Sequence, residues 1–69
     1  MSTLEAFQQA LERIPSPSPA LRAYVEAGRR YVDTQSDAAF NARVFAWEAL
    51  TADEQAVVRK IGQTVAALG

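Results

Sequence analysis

Residues 37–50, Asp-Ala-Ala-Phe-Asn-Ala-Arg-Val-Phe-Ala-Trp-Glu-Ala-Leu, decide how the chain is read, because they spell a helix that is apolar on two opposite sides. At about 100° per residue, Phe40, Val44 and Trp47 fall on one side and Ala38, Ala42, Phe45 and Ala49 on the other. One side can face the chain's own core. The second needs a further surface, supplied by another helix of the chain, a twin subunit or a foreign partner. Small residues at 38, 42 and 49 let a partner helix approach closely while Phe45 supplies an aromatic anchor. This side is therefore the leading candidate for an interaction surface, and Trp47, pointing the other way, is expected in the core.

Working outward, the neighbouring segments carry their own start and stop signals. Ser2 with Glu5 makes a capping-box pattern, and Leu4, Phe7, Leu11 and Ile14 follow at helical spacing, which predicts a first helix over about 3–14. Pro15-Ser16-Pro17-Ser18-Pro19 ends it, since each proline removes an N–H donor and turns the preceding residue away from helical angles. Residues 15–19 thus form a Pro/Ser spacer. Ser18 is placed to cap a second helix over about 19–33, with Pro19 at the first position, where a missing N–H costs nothing. Its inner stripe is Leu21, Val25, Gly28 and Val32, flanked by Tyr24 and Tyr31.

Extending that helix through residues 33–37 would turn Phe40, Val44 and Trp47 about 100° off the stripe, so a break is expected there, with Thr34 or Ser36 capping a third helix over about 37–50. Thr51 with Glu54 repeats the capping-box pattern and opens a fourth helix over about 52–68, striped by Val57, Val58, Ile61, Val65 and Leu68. The short Leu50-Thr51 link makes the last two helices cross at an angle or pack as a tight hairpin. Gly28 and Gly62 lie inside helices at a cost of about 1 kcal/mol each, which points to close helix crossings. The expectation is an all-α fold, a small four-helix bundle in one domain spanning 1–69.

Composition narrows the chemistry. The chain has neither Cys nor His, so disulfides, thiolate nucleophiles, Ser-His couples and zinc sites of the usual N/S ligands are excluded. The acids are scattered without the pattern of a Ca²⁺ loop, and no glycine-rich phosphate loop is present. No enzymatic activity, cofactor or metal is expected. Four residues is the longest apolar run, too short to span a membrane, and a cytoplasmic location follows by default. An excess of Arg over Lys with abundant Ala points to a GC-rich coding sequence, bacterial or phage. Sixty-nine residues lie near the lower limit for a self-sufficient core, so association is expected, as a homodimer or with a partner protein.

Arg22, Arg29 and Arg30 make the second helix the most basic element, and with Glu26 and Asp33 they read as a self-compensated face of i,i+3 and i,i+4 pairs. The functional alternative uses Arg29 and Arg30, flanked by Tyr24 and Tyr31, as planar donors to an acidic patch on a partner or to phosphate. The favoured function is a small interaction protein, a regulator, inhibitor or adaptor that occupies a partner's surface. The alternative is a helix-turn-helix transcriptional regulator. Against it stand the net charge of −1, the acids Asp37, Asp53 and Glu54 at the starts of the candidate recognition helices, and the missing Ala four residues before either helical Gly.

Overall fold

Each helix of the protein, seen in a computed structural model that describes residues 3–68, begins and ends where local chemistry dictates: α1 (Thr3–Glu12), α2 (Pro19–Thr34), α3 (Asp37–Glu48) and α4 (Ala52–Leu68). Among the described residues there is no strand. Ser18 is extended and its Oγ accepts the Leu21 N–H at 3.2 Å, with Pro19 in the first turn of α2. Ser36, rather than Thr34, caps α3, its Oγ accepting the Ala39 N–H at 3.2 Å. The capping box of α4 closes both ways: Glu54 N–H donates to Thr51 Oγ1 at 3.1 Å and Thr51 N–H to Glu54 Oε1 at 2.8 Å. The corresponding box of α1 rests on Ser2, outside the described residues.

Two helices stop earlier than their apolar periodicity predicts. α1 ends at Glu12, and Arg13 and Ile14 form a tighter turn in which their N–H groups donate to Ala10 O and Leu11 O, both at 3.2 Å. Pro15 imposes this, because its ring clashes with a helical carbonyl four residues back and disfavours helical angles at Ile14. α3 ends at Glu48, and Leu50 N–H donates to Trp47 O at 3.1 Å in the turn that leads to Thr51. α2 ends when Gln35 adopts left-handed angles at φ 49° and donates its N–H to Tyr31 O at 2.7 Å.

α2 packs along α3, and α1 lies against both α2 and α4. The Cα trace measures 27 × 27 × 17 Å, a flattened shape. Leu11, Leu21, Tyr24, Ala46, Leu50 and Val58 form the buried centre, one or two from each helix or its end, with Phe7, Ile14, Val25, Trp47 and Ile61 closing around it. α3 and α4 meet at their shared corner, where Gln55 Nε2 donates to Trp47 O at 3.1 Å and the Arg59 guanidinium lies 5.4 Å from the Trp47 ring centroid.

The buried faces correct the sequence reading in three places. In α2 the stripe runs Leu21–Tyr24–Gly28, so Tyr24 is core, at 3 % exposure, while Val25 and Val32 are only half-buried. In α4 Val58 is buried and Ile61 and Val65 half-buried, but Val57 and Leu68 face outward. In α3 only Trp47, half-buried, packs against the core from its two apolar sides, while Phe40, Val44 and Phe45 are exposed. The helix instead buries the strip midway between the two sides, Ala39 and Ala46, with Leu50 just beyond its end. The cause is volume. Tyr24 and Tyr31 of α2 already fill the space, so α3 approaches through alanines and its large rings close the edges, Trp47 on Tyr24 and Phe40 on Tyr31, each at 5.6 Å between centroids.

Candidate functional site

Because α3 is seated on its narrow alanine strip, both of its bulky sides stand out from the body. Phe45 is 78 % exposed, Phe40 45 % and Val44 40 %. Ala38, two turns before Phe45, and Ala49, one turn after it, are exposed as well, while Ala42 is half-buried. Between the Phe40–Val44 ridge and the Ala38–Phe45–Ala49 ridge runs a polar strip of Asp37, Asn41 and Glu48, all exposed. The whole arc carries two acids and no base.

The helix's single base is turned inward. Arg43 is half-buried, with its guanidinium 5.5 Å from the Tyr24 ring centroid, 5.9 Å from that of Tyr31 and 6.0 Å from that of Phe7. One planar cation thus ties α1, α2 and α3 through ring faces. Burial pushes the Tyr24 hydroxyl above its ordinary value, and the neighbouring Arg43 charge opposes that shift. Neither residue was legible as part of this cluster, since helical spacing places Arg43 among its own neighbours and says nothing of rings two helices away.

The second group of expected site residues has been drawn into structure. Arg29 is not a free donor: its Nε and Nη2 form a two-pronged pair with Glu12 at 2.8 and 3.0 Å, and Nη1 reaches Asp33 at 3.2 Å and Glu5 at 3.4 Å. The pairing with Asp33 follows the i,i+4 spacing, whereas the pairs with Glu5 and Glu12 pin α1 to α2. The Arg29 guanidinium and the Gln8 amide together hold the Glu12 carboxyl at about 2, well under its ordinary 4.5. Arg29 rises correspondingly, chiefly through its bond to Glu12. Arg30 remains exposed at the rim of a cleft of about 500 Å³ that Glu12, Glu26 and Asp33 also line. Tyr31 is half-buried against Phe40, and Tyr24 lies in the core, so the two tyrosines do not flank a surface arginine pair.

Gln8 was not anticipated by the apolar pattern. Only 2 % exposed, it donates through Nε2 to Val25 O at 2.9 Å and to Glu12 Oε2 at 3.0 Å, which satisfies the buried amide. Gly28 makes the room: a Cβ there would lie 2.4 Å from Gln8 Oε1. The Pro/Ser spacer has a partner too, for Ser18 Oγ, while capping α2, donates to Glu54 Oε2. That bond, followed by the Thr51 N–H, lowers the Glu54 carboxyl.

No group of three or more potential metal ligands occurs among the described residues, and no helix of the structure is long and apolar enough to cross a membrane. What the molecule presents outward is an apolar and acidic helix face. Neither a protein family, a curated protein nor a solved structure matches the chain, so that face stands on its own chemistry.

Proposed function

We propose that this chain is a small non-enzymatic interaction protein, a regulator, inhibitor or adaptor that works by laying the outer arc of α3 on a partner protein. The observation that carries the reading is Phe45. A phenylalanine left 78 % exposed on a well-formed helix, with exposed Ala38 and Ala49 on the same side, stands outside the core cluster and offers the kind of aromatic anchor that dominates interfaces. The surface as a whole supports the same reading. The chain exposes 4648 Å², against about 4,200 Å² for a compact monomer of its mass.

The test compares wild type with Phe45→Glu as bait in lysate of the source cells. Because the ring is not part of the core cluster, the variant is expected to keep its helical circular dichroism and its urea-unfolding free energy within about 0.5 kcal/mol, yet to lose the protein that wild type captures. Capture of the same protein at the same yield by the variant would overturn the reading. Loss of helicity would do so too, by showing that Phe45 belongs to the fold.

A further inference from the structure

We infer that the partner segment docking on α3 is a basic amphipathic helix, one that sets Lys or Arg on the Asp37–Asn41–Glu48 strip and apolar side chains on the two flanking ridges. This rests on the reading of α3 as the interaction face and adds what must cover it. Area comes first. Taking about 200 Å² per aromatic side chain, Phe45 and Phe40 at 78 % and 45 % exposure leave roughly 250 Å² open, far short of the ~800 Å² per partner of a stable interface. Even both ridges together fall short, so an occupant has to cover the polar strip between them as well.

Charge then selects the occupant. Asp37 and Glu48 form no ion pair with another described residue, and the one base of the helix is held underneath among three rings. Glu48 also sits in the last turn, at the negative end of the helix dipole, where no basic residue compensates it. Its placement costs the fold a little and gives the outer face its sign. A second copy is poorly suited to such a strip: a twofold pairing of α3 across the whole arc sets acidic strip against acidic strip, with Asp37 of one copy near Glu48 of the other. A helix bearing Lys or Arg between two apolar rows matches both the sign and the layout.

Two labelled synthetic 18-residue peptides test this. They share the same apolar positions and differ in carrying Lys and Arg, or Glu, along the intervening strip, and each is titrated with the full chain by fluorescence anisotropy at about 50 mM salt. The basic peptide is expected to bind about tenfold tighter than the acidic one. Asp37→Asn with Glu48→Gln should bring the ratio close to one, and Phe45→Glu should abolish binding of both. Equal binding of the two peptides by wild type removes the inference while leaving α3 as an interaction face, whereas binding of neither removes both. A preference for the basic peptide that survives neutralising Asp37 and Glu48 overturns the inference by assigning the attraction to the rest of the chain. Sedimentation showing a wild-type dimer that Phe45→Glu converts to monomer overturns it in favour of a second copy.

Discussion

Gly28 shows how one missing methyl group supports a buried polar contact. Replacing it with Ala brings two opposed effects. Helix propensity favours Ala by about 1 kcal/mol. Against this, the new Cβ would stand 2.4 Å from Gln8 Oε1, and moving that amide forfeits bonds to Val25 O and Glu12 worth about 1 kcal/mol each, more if it stays buried and unpaired. The second effect wins. Gly28→Ala is expected to destabilise by about 1 to 2 kcal/mol in urea unfolding, and to become stabilising when Gln8 is already Ala. Strict additivity in that double-mutant cycle would mean that the two residues do not share the space. Glu12, beside them, sets an acid sensitivity. A carboxyl held at about 2 rather than 4.5 contributes stability that is whole above the upper value and is lost as pH falls toward the lower one. With its side chain 37 % exposed, screening limits that contribution to about 1 kcal/mol. Between about pH 6 and pH 3, wild type should lose more stability than Glu12→Gln; equal losses would place the acid response in another group.

At the level of the helices, what was legible in the chain depended on how local the cause is. Starts and stops came through because Ser18, Ser36 and the Thr51–Glu54 box act within three residues, and Pro15 within four. The two residues over-assigned to α1 follow from letting Ile14 extend an apolar stripe into the reach of a proline. Which face turns inward was less legible. Apolarity alone ranked the Phe40–Val44–Trp47 side of α3 above its alanines, yet the choice belongs to the size of what α2 brings to meet it, and Tyr24 and Tyr31 favour the smallest face. Cross-helix polar contacts were not legible at all: Gln8 under Gly28, Glu12 with Arg29 and Arg43 over its three rings all join residues at separations that no period encodes. The Phe45 ridge was legible as the side to be left outside, but the exposure of Phe40 and Val44 opposite it was not, since their side was expected to face the core.

For the molecule as a whole, charge distribution decides what it can approach over distance. A net charge of −1, with Asp37 at the start of α3 and Asp53 and Glu54 at the start of α4, provides no basic helix start for phosphate. Anisotropy titrations with random duplex DNA at about 50 mM salt, which strengthens non-specific electrostatic binding, are expected to show no low-micromolar complex. A robust signal with a steep salt dependence would turn attention to a DNA-binding role.

The corner where α3 meets α4 also makes the protein its own optical probe. The chain has one tryptophan, Trp47, set against Tyr24 of α2 and under Arg59 of α4. Its emission follows the joining of those three helices without any label. α1 reaches the same ring environment, because its Leu11 and Phe7 belong to the centre that Trp47 closes and Arg43 joins Phe7 to Tyr24. A detachment of α1 would therefore open that centre to water and shift the tryptophan emission together with the far-ultraviolet dichroism, so coincidence of the two traces reports that the first helix comes and goes with the rest.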